Sequence, residues 1–125
     1  MTLYHFTTKK CARSIRRGGL TLGVLTLPTA TGFDVQTGWI WLTTDGEAAR
    51  QSWNTRHILK YSRDEARLTV EIPAEQEHRL LDREALCGIY PEARWLFEGW
   101  PGSENWRVFH GVIPKEWITE YIERA

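Results

Sequence analysis

The sequence lacks most of the features that announce a protein's class. It has two cysteines, Cys11 and Cys87, whose separation matches neither a disulfide framework nor a metal knuckle. They read as reduced thiols of a cytosolic protein. No apolar run approaches the ~20 residues needed to span a bilayer, and the opening residues lack the apolar core of a signal peptide. A cytoplasmic protein with no membrane partner is therefore expected. Net charge is absent too: sixteen basic and sixteen acidic side chains cancel, so overall charge gives no reason to require a phosphate backbone as partner. There is no internal repeat, low-complexity tract or linker-like stretch, so residues 1–125 read as one domain. A glycine-rich phosphate loop and a nucleophile elbow are both missing. His57, His78 and His110 stand at no metal-ligand spacing from cysteines or acids, so no metal site is expected.

Aromatic and apolar material is plentiful. The chain of 125 residues is 42% hydrophobic and carries seven tryptophans, which excludes a disordered chain because there is ample surface to bury against the ordering entropy. Tryptophan is rarely fully buried, and aromatic walls are common in ligand sites, so part of this set is expected to line a cleft. Lys9, Lys10, Arg13, Arg16 and Arg17 gather locally. Charges at helical spacing read first as a solvated face.

Residues 3 to 7 alternate, Tyr4 and Phe6 opposite His5 and Thr7, with the period of a half-buried strand. Tyr4 and Phe6 are the expected core residues, His5 and Thr7 the polar face. A threonine at 7 or 8 can cap a helix with Cys11, Ala12 and Ile15 on one side, ended by Gly18-Gly19. Residues 21–27 read as a short strand and 28–38 as a loop rich in threonine and glycine. Residues 39–44 form a strand with Ile40 and Leu42 on one face and Trp39, Trp41 and Thr43 on the other; Asp45-Gly46 closes it and 47–53 reads as a short helix. The cleanest alternation is 67–72, with Leu68, Val70 and Ile72 towards the core and Arg67, Thr69 and Glu71 away, ended by Pro73. Residues 75–87 read as a helix and 91–105 as irregular. Residues 106–113 form a last strand, and after Pro114 the spacing of Trp117, Ile118, Tyr121 and Ile122 predicts a closing helix. The order of elements suggests an α+β fold with mainly antiparallel strands.

Three stretches carry a resemblance. Leu3-Tyr4-His5-Phe6-Thr7 with Ile15 and Gly18-Gly19-Leu20 is similar to the first strand and helix of the ADP-ribosyltransferase-like superfamily, in the branch holding DNA-modifying toxins and RNA 2′-phosphotransferases. Trp106 to Ile118 resembles that branch's closing strand and Ile-Pro turn, and Trp39 to Thr44 its central aromatic and threonine strand. The resemblance implies two small antiparallel sheets around a cleft, with flanking helices, and NAD as substrate in that cleft. It implies that His5 and Thr7 meet the ribose and nicotinamide, that Trp41 and Thr43 form the central wall, and that a glutamate near the last strand holds a ribose hydroxyl. ADP-ribose would pass to a macromolecular acceptor, protein or nucleic acid.

That chemistry has a physical basis. Breaking the nicotinamide–ribose bond develops positive charge on the sugar, which a nearby carboxylate stabilises more in the transition state than in the ground state. His5 and Glu104 are the catalytic candidates. Counting back from Ile113-Pro114, however, the glutamate position of the toxin branch falls on Trp106, and Glu104 is the nearest acid. An alternative therefore stands beside the enzyme: a non-catalytic domain that uses the same cleft, or its tryptophan-rich rim, to bind a nucleotide or protein, as in a phage or toxin-system interaction protein.

Overall fold

A computed structural model describes residues 1–47, 65–98 and 102–123. Eight strands occur among them: β1 (Thr2–Thr7), β2 (Val24–Thr29), β3 (Gly32–Thr37), β4 (Trp39–Thr43), β5 (Ala66–Glu71), β6 (Leu80–Leu81), β7 (Trp106–His110) and β8 (Ile118–Glu123). Two α-helices join them, α1 (Lys9–Gly18) and α2 (Arg83–Ile89). Six strands form one sheet in the order β6-β7-β4-β1-β5-β8, and β2 and β3 form a separate hairpin. Every strand pairing is antiparallel. The α+β class with antiparallel strands in two sheets is thus as the sequence suggests.

Local chemistry accounts for the first unit. Thr8, not Thr7, caps α1: its side chain accepts from the Cys11 N–H at 3.2 Å. Gly19, at φ 85°, closes the other end with its N–H on Ile15 O, a backbone conformation that costs glycine little and other residues more. Ala12 of α1 then buries against Ala66 and Leu68 of β5.

Both faces of the β4–β7 half are covered. On one, Leu3, Ile40, Leu42, Val70, Phe109 and Ile113 form the largest cluster, with Ile15 and Trp117 packed on it. On the other, Trp39 and Val108 meet Leu25 and Leu27 of β2, Leu86 of α2, and Ala93 and Phe97. Leu3 lies two residues from His5 and is fully buried, so the face that carries His5 begins as core. Tyr4 is only half-buried. The expected division between core Tyr4 and Phe6 and a polar second face is therefore incomplete, whereas Leu68, Val70 and Ile72 are all buried as expected.

Four expectations fail elsewhere. The loop expected at 28–38 is mostly hairpin: β2 and β3 pair over six residues in register, because threonine and valine favour strands. The closing helix is instead a 3₁₀ turn at Lys115–Trp117 followed by β8. Strand β8 pairs β5 from Val70 to Ala66, and that edge pairing outweighs the helical spacing of Ile118, Tyr121 and Ile122. The helix expected over 75–87 breaks into a 3₁₀ turn at Ala74–Arg79, the short β6, and α2, whose cap is Asp82 accepting from Ala85 N–H at 2.9 Å. The last strand stops at His110, before Gly111 at φ 138°. The helix expected at 47–53 lies, beyond Glu47, outside the described residues.

Candidate functional site

The six-stranded sheet has an interruption at its centre. β1 pairs β5 over six residues and β4 pairs β7 over five, but β1 and β4 meet in ladder register at one pair, Tyr4 and Thr43. Where the ladder stops there is a cavity of about 460 Å³. That volume suits a small-molecule ligand. The wall from β1 includes His5 and Thr7, the wall from β4 includes Trp41 and Thr43, and Trp106 of β7 completes the aromatic side. Thr8 and Cys11 at the start of α1 lie along one rim, and Leu22 and Gly23 along another.

His5 crosses the interruption. Its Nδ1 lies 2.9 Å from the Trp41 carbonyl oxygen, and since a carbonyl only accepts, Nδ1 carries the proton in this bond. In the neutral ring Nε2 is then the acceptor nitrogen. The contact links β1 to β4 beyond their one ladder pair, Tyr4 and Thr43. The Thr43 hydroxyl is buried and accepts from Asp45 N–H at 3.1 Å, which leaves its own O–H able to donate. Thr7 is not used as the helix cap, which falls to Thr8.

The aromatic side is a cluster of edge-on and tilted rings. Trp41 and Trp106 meet edge to face with centroids 5.8 Å apart, and Phe97 backs both, at 5.9 Å from Trp41 and 6.1 Å from Trp106. Such contacts hold ring orientation as well as burying area. Tyr4, also in the lining, carries the Arg67 guanidinium 5.1 Å from its ring centroid. Arg67 is held in turn by Gly46 O at 2.9 Å and Glu120 Oε1 at 2.7 Å. The Thr69 hydroxyl and Arg67 together hold the Glu120 carboxyl below its usual range.

Of the residues singled out in the sequence, His5, Thr7, Trp41 and Thr43 come together in this one cavity, and Glu104 does not. Glu104 is exposed on a 3₁₀ turn, Ser103–Asn105. Its backbone carbonyl accepts from Arg107 Nη1 at 2.9 Å. None of the described lining residues is an aspartate or glutamate. Trp106 stands where the resemblance would have put the acid. The period-two relation of Trp106 to Val108 was the available signal for its wall position, since Val108 and Trp106 oppose Trp41 and Thr43 in the β4–β7 ladder. Cys11, Leu22 and Gly23 carried no sequence signal, because the turn of chain that brings them to the rim is set by tertiary packing.

Among the described residues no group of three or more His, Cys, Asp or Glu is gathered to hold a metal ion, and no helix is long and apolar enough to cross a membrane. No family model matches the chain, and no curated protein or solved structure matches it.

Proposed function

We propose that the cavity between β1 and β4 binds NAD or a related nucleotide, in a domain of the ADP-ribosyltransferase-like kind. The observation that carries this reading is the convergence of His5, Thr7, Trp41 and Thr43 on a cavity of ligand size at an interruption of the sheet. Flat indole faces suit a nicotinamide ring. The hydroxyls of Thr7 and Thr43 and the imidazole of His5 supply the mixed donors and acceptors that ribose hydroxyls require. The geometry favours binding over transfer, because no carboxylate is in the described lining to stabilise charge on a ribose.

Transfer of ADP-ribose to a protein or nucleic acid is the second reading. In it the bond from C1′ to the nicotinamide nitrogen breaks, its electron pair leaves with nicotinamide, and the acceptor's nucleophile bonds C1′ and gives up its proton. Glu104 is the acid for this reading. Its turn is held against the end of β4 by Thr44 N–H on Asn105 O at 2.9 Å, one residue from the wall tryptophan. Calorimetry with NAD tests the first reading: binding is expected, weakened about five- to tenfold by Thr7→Val, which removes one hydrogen bond with little change of shape. Absence of binding refutes it. Nicotinamide release that is abolished by Glu104→Gln would establish the second.

A further inference from the structure

The stretch from Gly18 to Thr44 holds a single charged residue, Asp34, in a chain that is 26% charged. The β2–β3 hairpin lies at the middle of that stretch. Its inner face buries Leu25 and Leu27 completely. Its outer face, fixed by the register Val24–Thr37, Thr26–Val35 and Pro28–Phe33, presents no charge at all. Phe33 is 63% and Val35 53% exposed, and Trp95, also exposed, extends the apolar surface by touching Phe33 at a centroid distance of 6.3 Å.

This surface ends at an open sheet edge. β3 pairs with β2 alone among the described strands, so its second row of backbone N–H and C=O groups is unused there. Edge strands in soluble proteins are usually guarded by charged side chains, proline, a bulge or a covering element. β3, Gly-Phe-Asp-Val-Gln-Thr, has neither lysine nor proline, its ladder with β2 is regular throughout, and its one charge, Asp34, is already engaged by Gln36 of the same strand. What fits a row of backbone donors and acceptors is another extended strand.

We propose that the strand is β3 of a second copy, paired antiparallel about a two-fold axis at Val35. This register sets Val35 against the partner's Val35, Phe33 against the partner's Thr37, and Asp34 against the partner's Gln36. The charge pattern selects it. An axis one residue earlier opposes two Asp34 carboxylates, and like charges directly opposite destabilise a sheet. An axis between residues sets polar positions against apolar ones and breaks both rows. With the axis at Val35 the lone carboxylate meets an amide, as it already does within the strand, where Gln36 Nε2 donates to Asp34 Oδ2 at 2.7 Å. The product is a continuous four-stranded sheet, β2-β3-β3-β2, whose outer face carries no charge along its length. This inference is independent of the nucleotide reading, because the hairpin's outer face and its open edge contribute nothing to the cavity.

Sedimentation of the full chain tests it. A dimer is expected at about 100 μM, and Val35→Lys, which opposes two ammonium groups at the axis, should weaken association at least tenfold with an unchanged circular dichroism spectrum. Register is tested separately with Cys11→Ser and Cys87→Ser in place. Directly opposite residues lie about 4.5–5.5 Å apart at Cα, within disulfide range. Val35→Cys should therefore cross-link under oxidised glutathione, and Phe33→Cys, which faces the partner's Thr37, should not. A wild-type chain that sediments as a monomer, or a Phe33→Cys variant that cross-links as readily as Val35→Cys, overturns the proposal. If Val35→Lys fails to fold, the cross-linking pattern decides alone.

Discussion

Replacing Gly23 with alanine should destabilise the domain by about 2 kcal/mol, although glycine to alanine is the mildest enlargement available. Gly23 leads into β2 where the chain passes the start of β4. A Cβ there would lie 2.2 Å from the Trp39 carbonyl oxygen and 2.9 Å from its carbonyl carbon. Non-bonded heavy atoms sit best at about 3.5 Å or more, so the two segments must part by roughly 1 Å. Neither atom is the end of a side chain that can rotate away; both belong to backbone that is tied in place, with Gly38 N–H bonded to Gly23 O at 3.1 Å and Trp39 paired to His110. Overpacking of this kind costs about 1–3 kcal/mol. The alanine recovers about 0.4–1 kcal/mol by restricting the unfolded chain, which is why the net loss stays near 2 kcal/mol rather than the top of the range.

Thermal unfolding followed by circular dichroism reads this directly. For a domain of this size about 1 kcal/mol corresponds to roughly 3–5 °C, so Gly23→Ala should melt roughly 6–10 °C below the wild type. Gly18→Ala is the internal control. An added Cβ at Gly18 has no neighbour within 4 Å, so there the unfolded-state gain stands alone and the melting temperature should hold or rise. Gly23 and Trp39 both line the cavity, so the first variant should also weaken nucleotide binding and the second should not. Equal melting temperatures for the two variants would refute the close approach on which the reasoning rests.

Thr8→Ala removes the cap of α1 and should cost about 1 kcal/mol in urea unfolding, whereas Thr7→Ala should spare the helix. The Glu123 carboxyl, held by the Arg13 guanidinium and then by the Tyr121 hydroxyl, lies at about 2 instead of 4.5. A depressed carboxyl stabilises the fold above its unfolded value and loses that contribution as pH falls from 4.5 towards 2. The stability difference between wild type and Glu123→Gln should therefore be full at neutral pH and shrink to a small remainder by pH 2; a difference at pH 2 as large as at neutral pH would contradict the assignment. Phe109→Ala, at a fully buried position, should cost about 3–5 kcal/mol in the same urea assay.

Much of this was legible from local pattern. β1, α1, β4 and β5 follow from alternation, a threonine cap and a Gly-Gly stop, and each is decided by neighbours within a few residues. β8 was not legible, because Trp117, Ile118, Tyr121 and Ile122 satisfy a helical spacing while also supplying the β-branched and aromatic residues of a strand. The open edge of β5 decides between them, and that edge is about fifty residues away in sequence. The same holds for Leu80 and Leu81, which leave a helical pattern to pair Phe109 and Val108. In the site, the period of two grouped His5 with Thr7 and Trp41 with Thr43, but Tyr4, Phe6, Ile40 and Leu42 line the cavity as well, so alternation did not separate lining from core. Glu104 falls in the stretch 91–105 that reads as irregular, and it stands on an exposed turn there. That turn is fixed by Gly102 at φ 84° and by Ser103 Oγ donating to Phe97 O at 2.9 Å, which are contacts rather than patterns.

The interruption between β1 and β4 raises a problem that His5 resolves. A sheet that stops pairing in its interior leaves backbone carbonyls with no ladder partner, and buried polar groups left so are costly. The His5 Nδ1–H satisfies Trp41 O, so the side chain proposed to meet the ligand also stabilises the open cleft. Only Nδ1 is engaged with the Trp41 carbonyl, so substitutions that keep or lose that position test the two roles separately. His5→Asn places an amide N–H near the position of Nδ1 and should keep most of the stability while losing whatever Nε2 does for a ligand. His5→Gln reaches towards the Nε2 position and should lose about 1 kcal/mol through the orphaned carbonyl, with binding less affected. Melting temperature and NAD affinity measured on the two variants should therefore move in opposite orders. If both properties fall together in both variants, the imidazole acts as a single packed group, and the division of labour between its nitrogens is wrong.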